Sequence, residues 1–284
     1  MASITLRAFA KINLSLRITG VRADGFHGVE TILQAIDLFD RVTCTKRRGP
    51  FEIRCDMPGV PTDRTNLVWN AADALWKAAG RDGEPRDVVI TLQKQIPMEA
   101  GLGGGSSDAA AALLGLRKLW KLRLPDNEMF AIAAQLGSDV PFFLVGGTAL
   151  GLGRGDEIYP LEQLPRHSVV LAFPTFGVAT KDAYRWFDDA PRKRGRLESS
   201  KVSLFPNVTL ANDLEAPVIQ RHPAIGQLKQ HFTDRGAIMA AMSGSGSTVF
   251  GVFDSAAKAA RAAKAVKGDA VRVLTARFLP RKRP

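Results

Sequence analysis

Cysteine is scarce in this chain, with only Cys44 and Cys55 among 284 residues. Two thiols cannot build a disulfide framework or a four-sulfur metal site. The four histidines are scattered and offer no metal-ligand spacing. Aromatic residues make up only 7% of the chain. None of its basic clusters interleaves cations with stacking rings, as a nucleic-acid platform would. No apolar run approaches the roughly 18 residues of a membrane span. The N-terminus enters a strand pattern directly, without a signal-peptide pattern. These absences predict a protein of the reducing cytoplasm, with no membrane and no nucleic acid as partner. Acidic residues are also in deficit, 28 against 39 basic, for a net charge of +11. The clusters Lys46-Arg47-Arg48, Arg192 to Arg196 and Arg281 to Arg283 read as solvated surface. The same field favours an anionic small-molecule substrate.

Glycine, by contrast, is concentrated. Pro97, Met98, Glu99, Ala100, Gly101, Leu102, Gly103, Gly104, Gly105, Ser106 and Ser107 run straight into Asp108 and an alanine-rich segment. Glycines admit positive φ and close approach of a ligand. A following helix presents unpaired N–H groups and the positive end of its dipole. Together these make a phosphate cradle. A Walker A loop would need a lysine, and none lies between Gln95 and Arg117. A dinucleotide fingerprint beginning at Gly101 would need glycine where Ser106 stands. The cradle is therefore of a third kind. Ser106, Ser107 and Asp108 are all competent N-caps for the helix, which the pattern sets at about Asp108 to Leu122.

The remaining pattern predicts α+β architecture in two lobes, with a ligand cleft between them. Alternation over residues 3–19 predicts a half-buried strand, with Lys11, Asn13 and Ser15 on its polar side. Val29 to Phe39 and Arg41 to Thr45 read as strands separated by a break. Asp63 to Ala79 reads as a helix, Val88 to Lys94 as a strand and Asn127 to Leu136 as a helix. Phe142 to Leu150 is apolar and strand-like. Thr180 to Phe187, Asn212 to Gln220, Pro223 to Arg235 and Asp254 to Lys267 read as helices. Strands are expected at Ser168 to Phe173, Gly236 to Ala241, Thr248 to Phe253 and Ala270 to Ala276. Asp188 to Pro206 is polar, broken by prolines and read as an exposed excursion. Taken alone, Lys11 with Asn13 fits an exposed sheet face, and Asp139 in Gly137-Ser138-Asp139 fits a turn.

Three segments in order change the weight of those residues: Ala10-Lys11-Ile12-Asn13-Leu14, the glycine loop from Pro97 to Asp108, and Met242-Ser243-Gly244-Ser245-Gly246-Ser247. They resemble the three signature motifs of the GHMP kinases, and the resemblance spans nearly the whole chain. Gly20 to His27, Thr31 to Gln34 and Leu136 to Phe142 look most like the members that act on 4-diphosphocytidyl-2-C-methyl-D-erythritol. The resemblance implies an N-terminal lobe like domain 2 of ribosomal protein S5 over 1–160 and a ferredoxin-like lobe over 161–284. It implies ATP and Mg²⁺ as cofactors and transfer of the γ-phosphoryl group to the 2-hydroxyl of that alcohol, a step of non-mevalonate isoprenoid synthesis. By motif, Pro97 to Ser107 would wrap the ATP phosphates. Asp139 would be the general base, and Lys11 would stabilise it and the developing charge. Asn13 would meet the erythritol end, while Phe26, His27, Thr180 and Tyr184 would serve the cytidine end. A monomer or weak homodimer is expected. Two departures from the family pattern stand out. Phe26 replaces a tyrosine, which keeps the ring and loses the hydroxyl, and Glu99-Ala100 replaces glycines. The Glu99 side chain is expected to face solvent.

Overall fold

A computed structural model of the protein describes residues 2–190, 210–266 and 272–281. Two long strands, β1 (Ser3–Val21) and β2 (His27–Pro50), pair antiparallel, setting Lys11 opposite Ala35 and Asn13 opposite Leu33. With β3 (Glu52–Cys55), β4 (Arg86–Gln93), β5 (Thr148–Leu152) and β6 (Glu157–Pro160) they form a six-stranded sheet. Helices α1 (Leu67–Ala78), α2 (Gly104–Leu119), α3 (Asp126–Leu136) and α4 (Val140–Val145) accompany it. The side chain of Asn66 caps α1 by accepting from the Val68 amide. Alanines 109 to 112 are buried and let α2 lie close against the sheet and α1.

A second sheet of four antiparallel strands follows: β7 (Ser168–Phe173), β8 (Met239–Met242), β9 (Val249–Phe253) and β10 (Arg272–Arg277), in the order β10-β7-β9-β8. Between β7 and β8 run α5 (Thr180–Asp189), α6 (Glu215–Arg221) and α7 (Pro223–Asp234), and α8 (Ala256–Val266) joins β9 to β10. This is the βαββαβ pattern of a ferredoxin-like unit, elaborated by extra helices. The fold is α+β. No helix among the described residues is long and apolar enough to cross a membrane.

Strand β1 ties the two sheets together. Ala8 lies in the core shared with α1 and α2, whereas Ala10, Ile12 and Leu14 pack with Val169, Leu171 and Phe250 of the second sheet. Its opposite face is covered as well, so Lys11 and Asn13 are each 3% exposed. The half-buried strand expected from alternation is thus buried on both sides over its central part. The alternation is real, but its polar side forms the floor of a cleft.

Other expectations change for local reasons. The break near Asp40 is absent: β2 runs on, and a register shift between Phe9 and Ala10 absorbs the irregularity. Helix α2 begins at Gly104, four residues before Asp108, with Gly103 as its N-cap at φ 70° and no side-chain cap. The three polar residues expected as caps lie inside the first turns. The apolar run from Phe142 is not one strand. Pro141 opens α4, and Gly146 and Gly147, at φ 68° and 69°, turn the chain into β5. Asn212 precedes α6 instead of starting it. Of the predicted polar excursion, residues 191–206 lie outside the described residues, and the basic cluster from Arg192 to Arg196 lies there with them.

Candidate active site

A cavity of about 1070 Å³ opens between the two lobes. The glycine loop forms one wall. Pro97 to Ser106 all line it, and the loop reaches α2 with Gly105 exposed at the helix entrance. The loop is fixed from behind. Leu102 accepts from the Lys11 amide at 3.0 Å, and Gly101 accepts from the Ser243 hydroxyl at 2.9 Å. A Cβ on Gly101 would fall 2.1 Å from the Ser243 carbonyl oxygen, at φ 71°. Only glycine fits there. A Cβ on Gly105 would meet nothing closer than 4.0 Å, so that position faces open space. Ser107 turns inward and donates to the Phe9 carbonyl at 2.7 Å, which leaves Ser106 as the loop hydroxyl on the cavity lining. Glu99 is exposed, at φ 51°.

Beside the loop stands a cation–carboxylate couple, with Lys11 Cε 3.2 Å from where a Cβ on Gly103 would sit. Lys11 Nζ lies 3.4 Å from Asp139 Oδ2 and donates to Asn13 Oδ1 at 2.7 Å. A buried ammonium is costly unless paired, and here two oxygens receive it. Asn13 is itself held, since its Nδ2 donates to Thr31 Oγ1 at 2.8 Å, and Thr31 donates to the Ser15 carbonyl at 2.6 Å. Asp139 occupies the N-cap position of α4 but does not cap it. Its side chain is 35% exposed and open to the cavity. The third glycine segment closes the ring. Gly244, Ser245 and Gly246 line the cavity, and a Cβ on Gly244 would lie 3.1 Å from Asn13 Oδ1 and 3.5 Å from Lys11 Nζ. The three segments that are far apart in sequence therefore meet within one cleft.

The other end of the cavity is aromatic. His27 Nε2 lies 2.9 Å from Asp188 Oδ1, and the His27 ring packs against Tyr184 at 4.9 Å between centroids. Burial pushes the Tyr184 hydroxyl up to about 12, aided by the charge of Asp139, so it remains a hydrogen-bond donor. Phe26 is 58% exposed, with the Arg154 guanidinium 5.7 Å from its ring centre. Thr180 Oγ1 lies 3.1 Å from Ser245 Oγ. Phe26, His27, Thr180 and Tyr184 all line the same cavity.

One constellation escapes sequence reasoning. Beneath the glycine loop, Lys94 Nζ lies 2.5 Å from both Asp40 Oδ2 and Asp108 Oδ2. Asp40 Oδ1 also accepts from the Ile96 amide at 2.9 Å, which pins the strand end that launches the loop. Asp108 Oδ1 is buried without a partner, and burial pushes this carboxyl up to about 7 against the pull of Lys94. The sequence carries only a weak signal for it, a carboxylate heading a run of alanines that the structure buries. Among the described residues, no cluster of three metal-binding side chains occurs.

Comparison with known proteins gives the family. The profile of the GHMP kinases N terminal domain matches residues 66–147, and that of the GHMP kinases C terminal matches 199–271. A 4-diphosphocytidyl-2-C-methyl-D-erythritol kinase of Synechococcus sp. (strain JA-3-3Ab) is 43% identical over 279 residues, covering 92% of this chain and 89% of its own. The chain belongs to the GHMP kinase family. A solved structure of 4-(cytidine 5'-diphospho)-2C-methyl-D-erythritol kinase superposes with a TM-score of 0.79 at 34% identity, over 97% of this chain and 99% of that one. A homoserine kinase from Cytophaga hutchinsonii shares the fold, with a TM-score of 0.71 at 20% identity, over 98% and 95% of the two chains. As a GHMP kinase the protein is a phosphotransferase, and ATP is the phosphoryl donor of the family. The glycine wall of the cavity fits the phosphates of that nucleotide, since Gly105 leaves open the space a side chain would fill.

Proposed function

We propose that this GHMP kinase phosphorylates the 2-hydroxyl of 4-diphosphocytidyl-2-C-methyl-D-erythritol, with Asp139 as general base and Lys11 as its partner. The observation that carries the reading is that the Lys11–Asp139 couple lies beside the glycine loop in one cavity, with Lys11 Cε 3.2 Å from where a Cβ on Gly103 would sit. Phosphoryl transfer asks the protein mainly for positioning and charge stabilisation. The loop from Pro97 to Ser106 and the amino end of α2 would hold the β- and γ-phosphates. The acceptor oxygen would bond to the γ-phosphorus as the bond to the β–γ bridging oxygen breaks. The hydroxyl proton passes to Asp139, and ADP carries away the bridging oxygen. Lys11, held by Asn13, would offset the negative charge that grows on the entering oxygen. Bound Mg²⁺ would supply further charge neutralisation between the phosphates. Ser106 is the loop hydroxyl free to assist it, because Ser107 is committed to the Phe9 carbonyl.

The aromatic end supports a nucleotide-linked acceptor over a small free alcohol such as homoserine or mevalonate. Phe26 would stack on the cytosine, and His27, Thr180 and Tyr184 would bound the rest of that end. The relatives whose names carry the cytidine substrate match this chain at about the same identity over nearly its full length. Purified protein given ATP and Mg²⁺ should consume ATP with the cytidine alcohol and yield its 2-phosphate by phosphorus NMR. Homoserine and mevalonate should leave ATP consumption at background. Turnover with either of those, and none with the cytidine alcohol, would replace the substrate in this reading.

A further inference from the structure

The segment just before α6 makes contacts that neither the signature motifs nor the proposed chemistry requires. Asn212 Nδ2 donates to the Gly244 carbonyl at 2.8 Å and to the Met242 carbonyl at 2.9 Å. Its Oδ1 accepts from the Leu214 amide at 3.0 Å, so the side-chain amide is used at both ends and cannot be turned over without loss. The same segment grips β1. Leu16 N donates to the Ala211 carbonyl at 2.8 Å, Asp213 N donates to the Leu16 carbonyl at 2.8 Å, and Asp213 Oδ2 accepts from Ile18 N at 2.7 Å. Strand β1 is the strand that carries Lys11 and Asn13. Glu215 adds a third hold by accepting from the Met242 amide at 2.9 Å.

We infer that Asn212 is a positioning residue for phosphoryl transfer, setting the depth at which the Gly244 loop sits over the Lys11–Asn13 couple. The chain of contacts is short. Asn212 holds the carbonyl of Gly244, and the space beside Gly244 is bounded by Asn13 Oδ1 and Lys11 Nζ. One residue back, Ser243 Oγ accepts from the Asn13 amide and donates to the Gly101 carbonyl. A shift of the Gly244 loop therefore reaches the cation–carboxylate couple directly, whereas the Gly101 carbonyl is held by the Ser243 hydroxyl and not by either carbonyl that Asn212 holds. Two donors from one side chain fix both carbonyls of the turn, which an aliphatic residue of the same size would leave free to rotate. The inference rests on the kinase reading above and concerns its geometry.

Asn212→Asp is the sharpest variant. It keeps the volume and the acceptor for the Leu214 amide but replaces both donated bonds with oxygen facing two carbonyl oxygens. Wild-type turnover with ATP and the cytidine alcohol is measured first, so that failure of the substrate reading is seen separately. The expected result is that Asn212→Asp lowers kcat about tenfold or more, beyond Asn212→Ala. Affinity for a non-hydrolysable ATP analogue should stay within about threefold and the melting temperature within a few degrees, the scale of a single hydrogen-bond loss. A kcat for Asn212→Asp within twofold of wild type would overturn the inference. So would loss of kcat, nucleotide affinity and melting temperature together in both variants, which would make Asn212 a folding residue only.

Discussion

At the scale of single residues, the proposed chemistry rests on a lysine that is 3% exposed and an aspartate that is 35% exposed, 3.4 Å apart. Ordering an ammonium in a strand interior costs desolvation that a surface lysine avoids. Asn13 and Asp139 offset that cost only while both keep their oxygens toward Lys11. Asp139 is left open on its cavity side, where a substrate hydroxyl can reach it. Asp139→Asn keeps the shape and removes the base. Turnover should fall by about 10²–10⁴-fold, with nucleotide-analogue affinity nearly unchanged. Lys11→Met should cost about 10²–10³-fold in kcat by removing the positive charge near the transferring group. Full activity in the Asp139→Asn variant would take Asp139 out of the mechanism. A near-normal rate in the Lys11→Met variant would reduce Lys11 to a packing residue. Steady-state kinetics with separate titrations of ATP and acceptor reads both.

At the scale of elements, the glycine loop and α2 contain both an enclosed and an open glycine, which the proposed function divides between folding and binding. Gly101 is enclosed, with φ 71° and the Ser243 carbonyl where a Cβ would go. Gly101→Ala should lower the melting temperature by at least about 2 °C, since incompatible Gly→Ala changes cost more than about 1 kcal/mol. Gly105 is open, and Gly105→Ala should keep the wild-type melting temperature while weakening ATP binding, because its methyl would enter the phosphate space. Equal losses of stability in the two variants would contradict this division. Below α2, the Asp108 carboxyl offers a pH test. Its ordinary value is 3.8 and its folded value about 7, raised by burial. Between those values the folded state holds the proton more firmly than the unfolded chain. This group's stabilisation is therefore complete below about pH 4 and is lost as pH rises to about 7. Urea unfolding should show wild type losing stability relative to Asp108→Asn from pH 4 to pH 8, whereas a difference independent of pH would refute the shift.

The elements also show what is legible from sequence. The glycine loop that leads into α2 can be read from glycine density alone, because the positive φ at Gly101 and Gly103 is a demand of the backbone and not of a partner elsewhere in the chain. The pairing of Lys11 with Asp139 cannot be read from either residue, since each fits an ordinary strand face or turn. Only the order of three motifs, with the Leu136 to Phe142 segment that carries Asp139, brings them forward. The start of α2 falls four residues ahead of its expected place because Gly103 performs the turn with its backbone, leaving the polar cap candidates unused. Helix α4 passes for strand because six apolar residues carry no period long enough to distinguish the two. Lys94 is hidden because its two carboxylate partners sit 54 and 14 residues away.

At the scale of the whole molecule, the cleft is a product of β1 serving two cores. Its N-terminal half packs on the α1–α2 side and its central part on the second sheet, so the lobes share a strand and not merely a hinge. The polar side of that strand becomes the floor between them. The motif from Met242 to Ser247 belongs to the second sheet, yet Ser243 hydrogen-bonds both Asn13 and Gly101 of the first lobe. The glycine loop and the Lys11–Asp139 couple are thereby brought to one place, and in the proposed reaction that positioning is what phosphoryl transfer demands. The most direct measurement is a crystal structure with a non-hydrolysable ATP analogue and the cytidine alcohol bound together. The expected result is the acceptor 2-hydroxyl within about 3.2 Å of an Asp139 oxygen and pointed at the terminal phosphorus held by Pro97 to Ser106. A hydroxyl bound at another wall of the cavity, with Asp139 roughly 10 Å or more from the terminal phosphorus and both ligands fully ordered, would contradict the assignment, since general-base transfer works only at hydrogen-bond reach.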